Sequence, residues 1–485
     1  MEEKEISKDA ATTYLYSSGL KIYSTQDSSV QTIMEEEAKK SKYDLKSKKN
    51  TNEDGSAVLA QGAAVVIDPK TGYVVGAVGQ LGEKTTSRGL NRIKSLRQTG
   101  SSIKPLADVL PGVEEGIVTP ATIYADLKTT FGTNNEPENY NGFSRLRTIR
   151  TALTTSQNIP FIKVMAEVTP AKSIEYLEKL GVTSLDETKD NNLPLAIGGM
   201  TYGISPLEMA AAYAAIANDG NYIEPTFYSK VEDSDGKIVL EPHQKTQKVC
   251  SEDTAYIIKN LMTSVIKGAD GYAGTATYCA IKGIDVAAKT GTTNGSKDRW
   301  LCGFTNYYAC AAWYGFDDPK RINYPGTNPA GLLFSGVMSE IHKGLENSTF
   351  EVPEKIVHEK IENDVMLSSD DLNDIYYKLN QKYFGEAVEI DEQIKYEWAR
   401  IPHFYSDFYV YKYATGVSAA IAIATKILNK ESGFVEKYIE MLKQGCSKKS
   451  IDLLKMVDID LESIDTYKST IEFYNNKIKE LKELL

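Results

Sequence analysis

Residues 56–80 read SAVLAQGAAVVIDPKTGYVVGAVGQ. Two apolar, β-branched runs flank Asp68-Pro69-Lys70-Thr71-Gly72, a string of turn formers. Proline presets φ early in a turn and glycine accepts positive φ, so this stretch predicts a β-hairpin. Strand character returns at DVAAKTGTT (285–293) and at DRWLCGFTNYYACAAWYGFDD (298–318), where Thr305-Asn306-Tyr307 reads as a turn. Between them, 99–265 reads as largely helical. Its strongest segment is SPLEMAAAYAAIAND (205–219), with Ser205 as N-cap, Glu208 closing a capping box and Pro206 at the first helical position. Strands that open and close the region 56–320 around helices predict an α+β fold, an antiparallel sheet with a helical subdomain inserted in sequence.

The flanks differ. Residues 1–55 are polar and mostly helical in pattern, with SSVQTIMEEEAKKSKYDLKSKKN (28–50) as one charged helix. After about residue 358 the chain reads as helix after helix. The expected division is a linker or pedestal (1–55), the α+β domain (56–357) and an all-α tail (358–485).

The 485 residues are 41% hydrophobic and 25% charged, enough for a sizeable core. A net charge of -11 argues against nucleic-acid partners, which need a basic footprint. None of the five cysteines forms a C-x-x-C pair, so no zinc ribbon or thioredoxin-type site is indicated. Cys302 and Cys310 flank the 305–307 turn and read as buried apolar residues. The N-terminus has no apolar h-region, and no run reaches the roughly 18 apolar residues of a membrane span. ATGVSAAIAIATKIL (414–428) reads as a buried helix.

Candidate chemistry begins at Ser101-Ser102-Ile103-Lys104. Residues three apart share a helix face, so Ser101 and Lys104 would stand side by side near a helix start. A serine hydroxyl needs a neighbouring base, and a lysine serves only if burial or a nearby cation lowers its pKa. S-x-x-K alone is a weak signal. The set strengthens it: Ser156-Gln157-Asn158 is an S-x-N, and Lys289-Thr290-Gly291-Thr292 is a K-T-G-T on a predicted strand. The order S-x-x-K, S-x-N, K-T-G is that of penicillin-binding proteins and serine β-lactamases. The earlier copy, Lys70-Thr71-Gly72, is read as the hairpin turn alone. In the later copy, Gly291 would let a substrate backbone approach the strand.

With GLKIYSTQDSSVQ (19–31), RQTGSSIKP (97–105), LTTSQNIPFIKV (153–164) and the long block 196–228, residues from about 20 to 357 resemble the transpeptidase domain of class A penicillin-binding proteins. The resemblance implies that Ser101 attacks the D-Ala-D-Ala bond of a peptidoglycan stem peptide, with Lys104 as base. Ser156 would relay the proton to the leaving D-alanine, and Asn158 would hold Lys104 and the substrate amide. Lys289, Thr290 and Thr292, with Gly291 between them, would bind the terminal carboxylate. The N–H groups of Ser101 and Thr292 would form the oxyanion hole. β-Lactams would trap Ser101, and no cofactor or metal is implied. It also implies work at the outer face of the bacterial membrane, although membrane anchor and glycosyltransferase domain are absent from this sequence. A β-lactamase shares the three motifs but needs a deacylating base, and no E-x-x-L-N string follows Ser156. Two alternatives are a β-lactam-binding protein that acylates without crosslinking, and a peptide-binding or structural chimera.

IYYKLNQKYFG (375–385), EWARIPHFYSDFYVYKYATGVSAA (397–420) and SIDLLKMVDID (450–460) resemble the C-terminal part of oligoendopeptidase F, a zinc metallopeptidase of the thimet family. His403, Tyr409 and Tyr411 fall in the block resembling that family's substrate contacts. The zinc motif H-E-x-x-H is missing: His358-Glu359 is followed by Lys360, Ile361 and Glu362. The tail is therefore expected to lack metallopeptidase activity, and its aromatic stretch reads as a helix buried on all sides. The two resemblances overlap on Glu354–Val357 (EKIV), as in a chimera whose tail exposes apolar surface.

Overall fold

The structure, a computed structural model, describes residues 7–51, 57–84, 89–131, 136–139, 142–356, 369–385, 389–401, 411–445 and 447–484. The chain divides into two compact units, Met1–Glu359 and Lys360–Leu485.

In the first unit, strands β1 (Gln61–Asp68) and β2 (Tyr73–Val78) form the predicted hairpin. Its turn closes on Asp68, which accepts from Gly72 N at 2.9 Å through its carbonyl and from Lys70 N at 2.9 Å through its side chain. Gly72 has φ 71°, which a side chain would strain. The first K-T-G is thus a turn. Strands β3 (Ile123–Asp126) and β4 (Arg145–Thr148) pair as a small antiparallel ribbon. Strands β5 (Ala287–Thr292), β6 (Asp298–Phe304) and β7 (Ala309–Gly315) return to the main sheet, whose order is β5-β6-β7-β1-β2, antiparallel throughout.

Every residue of β7 is buried, so both faces of the sheet are covered. Helices Pro206–Ala217 and Pro329–Ile341 both pack on β6 and β7, and Glu252–Lys267 packs on β5. Trp300 and Trp313 are fully buried in this core. Ser205 and Glu208 form the predicted capping box at the start of Pro206–Ala217. Cys302 and Cys310 are free thiols, buried on adjacent strands.

Three expectations are corrected. The single helix over 28–50 stops at Ala38, and Lys46–Thr51 is a strand paired with Ala57–Leu59. The buried Glu37 carboxylate accounts for the stop. It holds Lys40 (2.5 Å), Lys42 (2.6 Å) and the Tyr43 hydroxyl (2.5 Å), residues that a straight helix would spread over different faces. The region 99–265 is less helical than expected. Besides β3 and β4 it contains Tyr228–Glu232, which pairs with both Lys21–Ser24 and Ile238–Leu240, and a ribbon of Asn221–Ile223 with Thr246–Lys248. Asp233–Gly236 forms the turn that the helical reading passed over, with Gly236 at φ 83°. Finally, the apolar run at 414–428 is helical within Tyr411–Leu428 but not buried. Val417, Ile427 and Leu428 are exposed, and among the described residues the buried cluster of the second unit is Phe434, Val457 and Ile459, which leaves them uncovered.

The second unit, among its described residues, is helical and without strands. Its last helix, Ile464–Leu484, exposes Ile464, Ile471, Tyr474, Ile478 and Leu481 along one stripe. Among the described residues no helix is long and apolar enough to cross a membrane.

Candidate active site

The S-x-x-K motif lies on a helical stretch of changing pitch, a 3₁₀ turn Gly100–Ile103 followed by a π-turn Pro105–Val109 and an α-helix Leu110–Glu114. Ser101 is half-buried at its start, whereas Lys104 is fully buried. The turn is pinned from several sides. Gly100, at φ 52°, lies so close to β5 that a Cβ there would collide with the Thr292 carbonyl. A Cβ at Gly291 would collide with the Thr99 carbonyl and lie 2.9 Å from Ser102 Oγ. A Cβ at Gly198 would lie 2.5 Å from the backbone N and O of Gly100. Tyr213 donates its hydroxyl to Ser102 O at 2.6 Å, and Trp300 Nε1 donates to Gln98 O at 2.8 Å.

The S-x-N motif occupies the break between helices Ile149–Thr155 and Ile159–Val168. Ser156 sits in the left-handed region (φ 60°, ψ 37°), a conformation that costs a non-glycine residue energy and that recurs at functional sites. This break presents its groups to Lys104. Lys104 Nζ donates to Ser156 O (3.1 Å), Gln157 O (2.7 Å) and Asn158 Oδ1 (2.8 Å), and lies over the Phe161 ring.

The K-T-G motif reaches the same place from β5. Lys289 is fully buried, and its Nζ donates to Ser156 Oγ at 2.7 Å and to Thr290 O at 3.1 Å. Thr290 Oγ1 meets Thr275 Oγ1 at 3.0 Å, and Thr292 Oγ1 accepts from Arg299 at 3.0 Å. Residues 101–104, 156–158 and 289–292, far apart in sequence, therefore form one cluster.

Burial controls the charges. It pulls the Lys104 amine down from 10.5 to about 7, against the pull of Asp108 and Asp126, which favour the ammonium. Lys289 is held well below the ordinary lysine range by burial and then by the neighbouring Lys104. Asp108, one turn beyond Lys104, has neither carboxyl oxygen hydrogen-bonded, and burial raises its pKa well above the usual range.

A search of the chain against known families matches residues 62–320 to the penicillin binding protein transpeptidase domain. The chain belongs to this family. Residues 344–473 match peptidase family M3, so this member of the transpeptidase family carries a second segment from another family, a chimera-like architecture. Penicillin-binding protein 1A of Clostridium acetobutylicum is 33% identical over 69% of this chain and 42% of its own length. Penicillin-binding protein 4 of Bacillus subtilis is 34% identical over 54% of this chain and 41% of its own. The chain thus spans less than half the length of these relatives. Among solved structures, penicillin-binding protein 1A from Haemophilus influenzae matches with TM-score 0.60 at 20% identity, covering 74% of this chain and 77% of that one. The Mycobacterium tuberculosis PonA1 protein in complex with penicillin V matches with TM-score 0.57 at 23% identity, covering 72% and 92%. These two likenesses establish the fold, the penicillin-binding transpeptidase arrangement of sheet and helices.

In the second unit, His403 and Tyr409 lie outside the described residues, as does the junction from Val357 to Ser368. Tyr411 opens the helix Tyr411–Leu428. The sequence reading missed Gly100, Gly198, Tyr213, Thr275, Arg299 and the acids behind Lys104. Arg299 was legible in principle, because the β5–β6 hairpin register sets it opposite Thr292. Gly291→Ala is expected to push the Ser101 turn off β5, slowing acylation by a penicillin about 100-fold, the cost of a misplacement near 1 Å. Stopped-flow acylation beside a thermal melt checks this, since the variant should lose far more rate than stability.

Proposed function

We propose that this penicillin-binding transpeptidase is a serine D,D-transpeptidase acting on D-Ala-D-Ala stem peptides of peptidoglycan. The observation that carries the reading is the shared cluster of two buried lysines on Ser156, with Lys104 poised near neutrality. In its neutral form Lys104 takes the Ser101 proton as Oγ attacks the penultimate D-alanine carbonyl. The N–H groups of Ser101 and Thr292 hold the tetrahedral oxyanion. Collapse breaks the peptide bond, and Ser156, polarised by Lys289, passes the proton from Lys104 to the departing D-alanine amine. An acceptor amine then attacks the ester, forms the crosslink and returns the proton to Ser101. Thr290, Thr292 and Lys289 receive the substrate's terminal carboxylate, while the bare Gly291 gives its room on β5 to the Ser101 turn and not to the substrate backbone. β-Lactams enter as mimics of the same donor end, and the chemistry needs no cofactor.

On this reading residues 56–357 form the catalytic domain, 1–55 its pedestal and 358–485 a tail without peptidase activity. The work lies at the outer face of the membrane, where the substrate is. The test combines a fluorescent penicillin with a D-Ala-D-Ala pentapeptide donor and an amine acceptor, read by mass spectrometry. The expected result is one adduct on the Ser101 peptide and a new donor–acceptor amide. An adduct without amide product would reduce the activity to acylation without crosslinking. No adduct at all would overturn the reading.

A further inference from the structure

Asn158 stands at the N-cap of helix Ile159–Val168, where asparagine is among the favoured residues because its side-chain oxygen satisfies unpaired backbone N–H groups. Here it makes no such cap. Its Oδ1 accepts from Lys104 Nζ, and its Nδ2 donates to Glu138 O at 2.7 Å. The first N–H groups of the turn go elsewhere. Asn139, 19 residues upstream and buried, accepts from Asn158 N at 2.7 Å and from Ile159 N at 3.3 Å through its Oδ1. The next residue, Pro160, has no N–H to satisfy.

The Asn139 amide is itself oriented from behind. Its Nδ2 donates to Asp126 Oδ1 at 2.6 Å and to Gly142 O at 3.1 Å. Asp126 is fully buried at the end of β3, and its other oxygen accepts from Ser144 N at 3.0 Å. A carboxylate can only accept, so it fixes the amide with nitrogen toward Asp126 and oxygen toward the helix. Neither Asp126 nor Asn139 touches Lys104 in this chain of hydrogen bonds, yet both stand behind the atom that does.

We propose that Asn139, oriented by Asp126, is a surrogate helix cap, a positioning pair that anchors the first two N–H groups of this helix start, Asn158 N and Ile159 N, and so holds the Asn158 amide oxygen on Lys104. The functional consequence rests on the acyl-transfer reading above, while the structural claim stands without it. A cap supplied from another segment keeps the helix start anchored while the N-cap side chain serves the site.

The test uses the full chain with Asn139→Ala, Asp126→Asn, Asn139→Asp and the double exchange Asp126→Asn/Asn139→Asp. Asn139→Ala should slow penicillin acylation about 100-fold, the scale of a roughly 1 Å displacement. In its crystal structure the Asn158 Oδ1 to Lys104 Nζ contact should open beyond hydrogen-bond range. Each single exchange should also lose rate, Asn139→Asp by setting two carboxylates together and Asp126→Asn by turning an amide donor on Ser144 N or on Asn139. The double exchange restores every bond except the one to Gly142 O, which a carboxylate cannot donate: the carboxylate at 139 accepts from the helix and from the amide at 126, whose oxygen accepts from Ser144 N. It should recover most of the rate and the melting temperature. A merely structural role would track melting alone and would leave Asn158 on Lys104 in Asn139→Ala. That result, or a double exchange no better than the singles, overturns the proposal. If the unsubstituted chain is not acylated, the functional reading fails, and the crystal structures of the variants still decide the capping claim.

Discussion

Ser101→Ala should leave no covalent adduct with a fluorescent penicillin, a loss of at least about 10⁴-fold in acylation rate, as for the loss of other serine nucleophiles. The reason is positional. Its neighbour Ser102 is fully buried and its hydroxyl donates to Thr99 O at 2.8 Å, so it cannot turn to a substrate in the cleft. Ser156 is held by Lys289 and sits in a strained break between helices. No neighbouring hydroxyl on the turn replaces Ser101. Because Ser101 is only half-buried, its loss should shift the melting temperature little. Ser102→Ala is the control: it removes one local hydrogen bond and should keep the adduct. Gel fluorescence with intact-protein mass spectrometry reads both variants. An adduct that survives in Ser101→Ala would move the nucleophile elsewhere.

The second large effect is expected at Lys104, through pH. Its amine is drawn down to about 7 chiefly by burial. On the proposed mechanism the neutral form is the base, and it becomes the major form as pH rises through that value, so the acylation rate constant should climb through neutrality and level off above. Lys289 is likewise held well below the ordinary lysine range, by burial and then by Lys104. Lys104→Arg should lose about 10³-fold, because a guanidinium stays protonated and cannot accept the serine proton. The residual activity should also lose the rise through neutrality. A pH series of second-order acylation rates checks both points, and a profile that is flat in the unsubstituted chain would remove Lys104 from the role of base.

Local pattern revealed much of the fold. The hairpin at 61–78, the capping box at Ser205 and the K-T-G strand follow from turn formers, β-branched runs and caps that act over a few neighbouring residues. The reading failed where a distant contact decides the matter. The 28–50 helix ends because Glu37 is buried, and burial is not local. The strand Tyr228–Glu232 exists because Lys21–Ser24, some two hundred positions upstream, pairs with it. The apolar run at 414–428 passed for a core helix because composition marks what prefers burial and not what covers it.

The sequence by itself determined which groups are present and in what order: a serine and lysine three apart, a serine and asparagine two apart, a lysine-threonine-glycine on a strand, and a tail from another family. Each signal is short enough to survive in a string of neighbours. Only the tertiary structure decided that Lys104 and Lys289 meet on opposite groups of Ser156, and that burial pulls both amines down. It likewise decided that Gly100 and Gly291 let the Ser101 turn seat on β5, and that Asn139 and Asp126 stand behind Asn158. The physical reason is the same throughout. Propensity and spacing act through a few bonds, whereas desolvation, close packing and hydrogen bonds between distant segments exist only once the chain has folded.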